Sequence, residues 1–284
     1  MNITQYDNLS KLLPILLLCL LVHSNADADW RGKIRDGRDI FVSDLKASGE
    51  TVSAYFLAPV FWDSSDWWLV GGAAGMSGAA MSFDRSVRTE VQASRGDGNY
   101  WLMRFGRRAG DKTSAVGLAS GFYVVGLIGG NHKIRTTGRL LFEGYFTAGA
   151  TTTFLKTVTG RHRPYTNDGP FVFTPLGWEN YLRAFPSGHS TIGWVTAGVL
   201  AKQTESTFVD VLLYSSATII SASRIYHDKH WLSDVIFGGF VGYTAADFVV
   251  RKERKRRNTG SIKQSNLSII LTPHPGFAIQ WWFD

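Results

Sequence analysis

The sequence has 284 residues, of which 44% are hydrophobic and 19% charged, so a disordered chain is excluded and a sizeable packed core is expected. Its net charge of +7 favours anionic partners, such as phosphorylated substrates or acidic lipid head groups. Part of that excess lies in one basic run, 251–257, which predicts either a solvated helix end or contact with an anionic membrane surface. No nucleic-acid-binding motif accompanies the run, so a nucleic-acid partner is not predicted.

The first 28 residues have the pattern of a secretory signal peptide. An apolar stretch of 11 residues, 12–22, is followed by small residues at Ala26 and Ala28 that suit signal peptidase. Eleven residues are too few to cross a bilayer, which needs about 20. The only cysteine, Cys19, lies in this segment, so the mature chain would contain neither a disulfide nor a thiolate ligand. We therefore expect an exported protein of the periplasm or cell envelope.

Apolar segments of helix length dominate the rest of the chain. A polar stretch, 29–66, precedes them and is interpreted as an N-terminal extension. Each apolar segment is too long for most strands, and frequent Gly, Ala and Ser would let helices pack closely. The sequence therefore predicts an all-α fold, a bundle of about six core helices. The six segments are 67–83, 114–131, 139–160, 189–203, 208–226 and 231–250.

Membrane spanning is the less favoured interpretation of these segments. The longest stretches without a charged residue, 114–131 and 184–201, have 18 residues each, which is borderline for a spanning helix. Glu143, Asp210 and Asp247 interrupt other segments, and the mean hydropathy is only −0.05. We expect a globular helical core, and an integral membrane protein with an outward-facing site is the alternative.

The segments outside the apolar ones complete the predicted organisation. Two long stretches, 84–112 and 165–183, are interpreted as loops that line or cover a site. Near the C-terminus, two strand-like segments flank the turn sequence Pro-His-Pro-Gly, which predicts a short β-hairpin. The predicted boundaries are a signal peptide at 1–28, an N-terminal helical extension at 29–113, a helical core at 114–257, and a linker with the hairpin at 258–284.

The first candidate site segment ends a predicted helix. Lys156 and Arg163 are seven positions apart, close to two helical turns, so their side chains can share one face. Pro164 disfavours helix at Arg163 and is predicted to end the segment there. Two cations at a helix end would bind an anion, although solvated basic faces without a ligand are also common.

The second candidate segment, Pro-Ser-Gly-His at 186–189, opens a predicted helix. The free backbone N–H groups and the dipole of a helix N-terminus favour phosphate. Gly188 lets a ligand approach the backbone, Ser187 can donate its hydroxyl, and His189 lies in the first turn. Considered alone, the turn is explained equally well as a helix cap.

The third candidate segment pairs a histidine with a carboxylate. His230 and Asp234 are at i and i+4, so the carboxylate can reach one ring nitrogen and leave the other as the lone pair that a nucleophile requires. Arg224 can bind phosphate oxygens in a fork. A zinc site that includes His227 and Asp228 is a weaker alternative because the neighbouring cations oppose a dication. No metal and no cofactor is therefore predicted.

Taken together, the segments read Lys-x6-Arg-Pro, Pro-Ser-Gly-His and Ser-Arg-x5-His-x3-Asp. This order and spacing resembles the three-part signature of the type 2 phosphatidic acid phosphatase (PAP2) family, whose superfamily also includes bacterial class A acid phosphatases and vanadium haloperoxidases. The resemblance covers roughly 114–250 and includes every fixed position of the signature. It implies a PAP2-like helical bundle and a metal-independent phosphatase that acts on phosphate monoesters or pyrophosphates, lipid phosphates included.

The resemblance also implies a role for each motif residue. His230 would attack phosphorus and form a phosphohistidine, with Asp234 orienting its ring. His189 would protonate the leaving oxygen and then activate water. The phosphate oxygens would be bound by a larger set of groups. That set is Lys156, Arg163, Ser187, Gly188 and Arg224.

Two further functions remain open at this point. The same constellation binds vanadate in haloperoxidases, so a vanadium-dependent haloperoxidase is one alternative. A non-catalytic envelope protein that uses the basic run and the hairpin for membrane or partner contacts is the other. The complete set of polar motif residues favours the enzyme, with a phosphorylated small molecule or a lipid phosphate as its substrate.

Overall fold

The computed structural model describes residues 30–204, 206–265, 268–271 and 277–280. The predicted signal peptide, 1–28, lies outside these residues. The described residues form nine α-helices, which confirms the predicted all-α fold. The helices are α1 Trp30–Leu57, α2 Ser64–Met81, α3 Asp84–Ala93, α4 Asp97–Ala109, α5 Lys112–Ile128, α6 His132–Thr159, α7 Gly188–Ala201, α8 Thr207–Tyr226 and α9 Leu232–Ser265. Short 3-10 turns are Ala58–Phe61, Pro164–Thr166 and Asn180–Leu182.

Polar side chains fix where several helices begin. Asp63 precedes α2 and forms a capping box with Asp66. Asp111 precedes α5 and accepts a hydrogen bond from the Thr113 N–H, and Asn131 does the same for α6. Each cap satisfies backbone donors that the first helical turn leaves unpaired. The chain thus marks its helix boundaries with short polar residues.

The core lies where α6, α7 and α9 pack together. Leu140, Val195 and Val249 are fully buried in it. Small residues bring the backbones close, because a Cβ at Gly242 of α9 would lie only 2.3 Å from the Thr191 carbonyl oxygen of α7. This close approach joins the two helices that carry the second and third candidate segments.

A second group of buried charges lies far from those segments and joins α1, α6 and α9. Arg139 donates to Glu143 at 2.7 Å and to Glu253 at 2.6 Å. Ser48 of α1 donates to Glu143, and Asp44 of α1 pairs with Arg135 at 3.0 Å. We call Arg139, Glu143 and Glu253 the Arg139 cluster.

The stretch 84–112 is helical, so the predicted long loop there is wrong. Helices α3 and α4 occupy most of it, with a break before Asp97. Helix α4 packs on α8, and Gly106 allows the contact because a Cβ there would lie 2.9 Å from the Ile219 carbonyl oxygen. Both helices are short, rich in arginine and amphipathic, and they are stabilised by tertiary contacts.

The C-terminal part differs from the predicted organisation in one respect. Helix α9 continues through the basic run to Ser265, beyond the predicted boundary at 257. Strands β1, Ser268–Leu271, and β2, Phe277–Gln280, pair antiparallel. The turn residues between them lie outside the described residues, so the hairpin stays a prediction.

The outer helices expose many large apolar side chains. Trp68, Ile128 and Phe208 are between 72% and 80% exposed. Two helical stretches are long and apolar enough to cross a membrane, Thr207–Tyr226 and Leu232–Thr259. In the second, 61% of the most apolar 18 residues are buried within the bundle. Exposed apolar surface on this scale is typical of a face that contacts lipid or another protein.

Candidate active site

The end of α6 and the loop after it place the first candidate segment. Gly160 ends the helix in the left-handed conformation, with φ 55°. A Cβ there would lie 1.6 Å from the Thr174 carbonyl oxygen, so only glycine fits. The loop then folds back, since the Arg163 N–H donates to the Tyr181 carbonyl at 2.8 Å. Lys156 and Arg163 are thereby brought to the same end of the bundle.

The second segment joins the first turn of α7 to α9. Ser187 is fully buried, and its hydroxyl oxygen accepts from the Ser190 N–H as the helix cap. Its own N–H donates to the Asp234 carbonyl at 2.9 Å. Gly238 permits this contact, because a Cβ there would lie 2.5 Å from the Ser187 carbonyl oxygen. His189 follows in the first helical turn, as the sequence predicts.

The third segment is buried where α8 ends and α9 begins. Arg224, His230 and Asp234 are 6%, 3% and 0% exposed. Two successive carbonyls connect this segment to the first one. The Lys156 ammonium donates to the Arg183 carbonyl at 2.7 Å, and Nδ1 of His230 lies 2.7 Å from the Ala184 carbonyl oxygen.

Electrostatics show that the separate segments converge. The pKa of His230 is lowered first by burial and then by Lys156, Arg163, Arg224 and His189. Burial and then Arg224 lower the pKa of His189 to about 3. Each cation acts on both rings, so these side chains lie within electrostatic range of one another and of the space between them. An anion in that space would be attracted by all of them.

The lysine of the first segment is affected in the same way. Burial and then Arg163 lower the pKa of Lys156 to about 7. Asp234 opposes this shift. A bound anion would favour the ammonium form, because an opposite charge nearby stabilises the charged state.

Two arginines present buried donors with no protein partner. Within the described part of the chain, Nε of Arg163 and both Nε and Nη1 of Arg224 are buried without a hydrogen bond. Buried donors of this kind are rare because each unpaired group costs about 1–3 kcal/mol, and charged ones cost more. The cost would be removed by an oxyanion that accepts from these nitrogens.

The nitrogen of His230 that faces Asp234 has a closer partner. Nδ1 is 3.6 Å from the Asp234 carboxylate, beyond hydrogen-bond distance, and 2.7 Å from the Ala184 carbonyl oxygen. A carbonyl only accepts, so Nδ1 carries the proton and Nε2 keeps its lone pair. The carbonyl therefore fixes the tautomer, and Asp234 lies close enough to act on the ring by charge alone.

Sequence reasoning missed several residues that support the site. The Arg161 guanidinium is fully buried and binds both Asp234 and Asp84, a residue of α3. Asp111, the cap of α5, acts on the pKa of His189 and raises it. Arg161 lies in the Gly-Arg-His-Arg part of the first segment, but nothing in local spacing identifies its distant partners.

The zinc alternative conflicts with the contacts of its carboxylates. Arg88 binds the Asp228 carboxylate in a fork, at 2.7 and 2.8 Å. Arg161 binds Asp234 at 2.5 Å. Among the described residues, no group of three or more His, Cys, Asp or Glu side chains has an arrangement that could hold a metal ion.

Comparisons with known proteins support one family. Residues 138–258 match the family model described as the PAP2 superfamily. An acid phosphatase from Zymomonas mobilis is 34% identical over 80 residues, which are 28% of this chain and 30% of that relative. The chain thus aligns with less than a third of the length of this curated relative.

Two solved structures are similar in fold. One is the transmembrane PAP2 type phosphatidylglycerolphosphate phosphatase from Bacillus subtilis, with a TM-score of 0.53 and 22% identity over 72% of this chain and 96% of that one. The other is Aquifex aeolicus LpxE, with a TM-score of 0.48 and 19% identity over 60% of this chain and 95% of that one.

The matched region contains each motif residue, from Lys156 to Asp234, and the helices that carry them. The predicted resemblance is confirmed, because residues 138–258 match the PAP2 superfamily model.

Proposed function

We propose that this protein is a phosphatase that hydrolyses phosphate monoesters or pyrophosphates, lipid phosphates among them, through a phosphohistidine at His230. One observation carries the proposal. The buried donors of Arg163 and Arg224 have no protein partner, and both arginines act on the same two histidines as Lys156 does, so we infer a space between them that is lined with donors. Such a space suits a tetrahedral oxyanion, whose oxygens accept from guanidinium nitrogens.

The first step forms a bond between Nε2 of His230 and phosphorus. The lone pair of Nε2 attacks in line with the leaving oxygen, and the P–O bond to that oxygen breaks. His189 gives its proton to the leaving oxygen. Its pKa is low in the empty site, and a bound phosphate would raise this pKa because it places negative charge beside the ring.

The second step returns the enzyme to its starting state. A water oxygen attacks phosphorus, the N–P bond breaks, and His189 accepts the proton of that water. Throughout, the Ala184 carbonyl accepts a hydrogen bond from Nδ1 of His230, and the Asp234 carboxylate balances the charge of the ring. The Gly188 N–H, at the start of α7, and the Ser187 hydroxyl are proposed to donate to a phosphate oxygen.

Phosphoryl transfer needs positioning and neutralisation of the negative charge that spreads over three oxygens. We propose that Lys156, Arg163 and Arg224 supply the positive charge that neutralises these oxygens, so the reaction proceeds without a metal. The test is hydrolysis of p-nitrophenyl phosphate in the presence of EDTA. We expect full activity in EDTA and a loss of at least about 10⁴-fold in His230→Ala, comparable to removal of other catalytic nucleophiles.

A matched control tests whether the loss is specific. His132 begins α6 at the other end of the bundle, and His132→Ala is expected to keep the activity of the unchanged protein. Protein denatured in alkali during turnover should carry alkali-stable, acid-labile phosphate, and His230→Ala should carry none. Turnover that survives in His230→Ala would reject the phosphohistidine mechanism.

An apolar groove supports lipid phosphates as substrates. It has a volume of about 500 Å³ and lies between α7, α8 and α9. Its lining includes Ile225, which follows Arg224, and Leu232, which is two residues after His230. Trp194 and Phe240 also line it. We propose that an acyl or prenyl chain occupies this groove while its phosphate lies among the cations.

We further propose that the protein is exported and associated with a membrane. The signal-peptide pattern of 1–28 supports export, and the exposed apolar side chains of the outer helices support membrane contact. Separation of soluble periplasm from carbonate-washed membrane tests both parts. We expect the protein in the washed membrane fraction, and its recovery as a soluble periplasmic protein would reject membrane association.

A further inference from the structure

Arg161 belongs to the first candidate segment, binds residues of the third, and has no assigned role. Its side chain is fully buried, and all three guanidinium nitrogens are hydrogen-bonded. Nη1 donates to the Ser233 hydroxyl at 2.7 Å and to the Asp234 carboxylate at 2.5 Å. Nη2 donates to the Asp84 carboxylate at 2.7 Å. Nε and Nη2 also donate to one backbone carbonyl, that of Pro170.

The charges of this group depend on one another. Asp84 and Asp234 are both 0% exposed, and Arg161 is the cation that pairs with each of them. The Asp84 carboxylate also accepts from the N–H and the hydroxyl of Ser233, at 2.9 and 2.7 Å. Buried carboxylates need such partners to stay ionised. We call Arg161, Asp84, Ser233 and Asp234 the Arg161 cluster.

Two paths lead from Arg161 to the ring of His230. The guanidinium fixes Asp234, whose other oxygen accepts from the Trp231 N–H at 2.8 Å, so the carboxylate cannot turn. The Arg161 carbonyl accepts from the Ala184 N–H at 3.0 Å, and the Ala184 carbonyl is the partner of Nδ1 of His230. Both groups that face Nδ1 are therefore positioned by the same residue.

We propose that Arg161 is a positioning residue for the phosphatase reaction, fixed in turn by Asp84, and that it sets the tautomer and orientation of His230. This inference rests on the proposed function. Arg161 touches neither the phosphate space nor a reacting atom. It acts by keeping the Nδ1–H group of His230 hydrogen-bonded to the Ala184 carbonyl, so that Nε2 points at phosphorus with a free lone pair.

The variants Arg161→Met and Arg161→Lys test the proposal with p-nitrophenyl phosphate. We expect kcat of Arg161→Met to fall on the order of 100-fold with KM nearly unchanged, since misplacement of a reacting group by about 1 Å costs this much. Arg161→Lys keeps the charge but lacks the planar fork, so an intermediate kcat is expected. Arg139→Met is the control, because it also removes an arginine from two buried carboxylates but lies far from His230.

A second readout does not depend on turnover. Long-range ¹H–¹⁵N NMR on ¹⁵N-histidine-labelled protein reports which ring nitrogen of His230 is protonated, and His230→Gln assigns the signal. We expect the Nδ1-protonated form in the unchanged protein and in Arg139→Met, and a mixture of both forms in Arg161→Met. If no substrate is turned over, the proposed function fails, yet the tautomer still decides the role of Arg161.

A milder variant covers the case in which Arg161→Met does not fold. Asp84→Asn keeps the shape of the side chain but removes the charge that fixes Arg161 from α3. We expect kcat to fall about 10-fold and the same mixture of tautomers to appear. A folded Arg161→Met or Asp84→Asn protein with the original tautomer and the original kcat would overturn the inference.

Discussion

Two buried arginines, each bound by two buried carboxylates, lie at opposite ends of the bundle. One supports the candidate site, and the other holds helices together. Arg161 binds Asp84 and Asp234 beside the candidate site. Arg139 binds Glu143 and Glu253 near the start of α6. Because a helix rises about 1.5 Å per residue, Lys156 lies roughly 26 Å along α6 from Arg139. The same chemical arrangement therefore occurs once near the reacting groups and once far from them.

The two clusters differ in how completely their polar atoms are paired. Every guanidinium nitrogen of Arg161 donates a hydrogen bond. In the Arg139 cluster, Nε of Arg139 and Oε2 of Glu143 have no hydrogen-bond partner among the described residues. Complete pairing fixes an orientation, whereas incomplete pairing is sufficient to hold helices together. The difference suggests that the need for exact geometry near His230 is what distinguishes the Arg161 cluster.

The largest expected effect on stability comes from disruption of the Arg139 cluster. Arg139→Met leaves Glu143 buried without its ion-pair partner, whereas Glu253 keeps Arg256 and Arg257, so the free energy of unfolding should fall by about 3–5 kcal/mol. Chemical denaturation followed by circular dichroism measures this change. The kcat of the folded protein should stay the same. A loss of stability below about 1 kcal/mol would show that the cluster is not needed to hold α6 and α9 together.

The next largest effect is expected at Arg224, where a substitution should increase stability. Arg224 is buried with two unpaired nitrogens, so Arg224→Met should raise the free energy of unfolding by about 1 kcal/mol. The same change should lower kcat/KM for p-nitrophenyl phosphate by roughly 10²–10³-fold, because a donor to the transition state is lost. Denaturation and steady-state kinetics measure the two effects. A destabilised Arg224→Met protein would contradict our interpretation of the unpaired donors.

A smaller expected effect is a pH dependence of anion binding at the candidate-site end of the bundle. Burial lowers the pKa of Lys156 to about 7, so in the empty site the ammonium form is complete below that pH and is lost above it. Sulfate keeps its charge from pH 5 to 9 and can replace phosphate as a probe. Its affinity should be constant below about pH 7 and fall by roughly 10-fold or more as the pH rises beyond it.

Matched variants identify the titrating group in that experiment. Lys156→Arg should bind sulfate with little dependence on pH, because arginine stays charged throughout. Lys202 is paired with Asp247, away from the site, and Lys202→Met should retain the original pH dependence. Calorimetric titration measures each affinity. The assignment to Lys156 would be wrong if Lys156→Arg kept the decline above pH 7.

The smallest expected effect concerns the apolar groove beside the site. Ala222→Phe places a larger side chain in the groove and should lower kcat/KM for a long-chain phosphatidate in mixed micelles about 10-fold. Hydrolysis of p-nitrophenyl phosphate should change by less than about twofold. Val124→Phe on the exposed face of α5 is the matched control. Equal losses on both substrates would mean that the groove does not bind the lipid chain.

Sequence reasoning anticipated the parts of the site that depend on local pattern. The six apolar segments each correspond to a helix. Lys156 lies near the end of α6, but Arg163 lies in the loop beyond Thr159, so the two side chains do not share a helix face as their spacing predicts. Helix periodicity and the chemistry of phosphate binding are local properties, so they can be read without coordinates. The position of Lys156, His189 and Arg224 around one space agrees with that interpretation.

The parts that were missed depend on contacts between distant segments. Spacing at i and i+4 predicted a direct bond from Asp234 to His230, but the Ala184 carbonyl from another loop occupies that nitrogen. Asp84 and Arg161 are separated by 77 positions, and their pairing leaves no periodic trace. The charged residues and the glycine break of 84–112 predict a loop, whereas the amphipathic pattern of α3 and α4 supports the helices that the structure shows.

The bond between Ser233 and Asp84 also has a consequence for how the molecule matures. The two residues are 149 positions apart, so their contact closes one of the longest loops in the chain. Long-range contacts form late, since the entropy of a large loop must be overcome first. During synthesis the early helices would wait for α9 to emerge before the carboxylate of Asp84 found its partner. A nascent or truncated polypeptide lacking α9 would therefore remain catalytically silent, whatever helical structure it had already acquired.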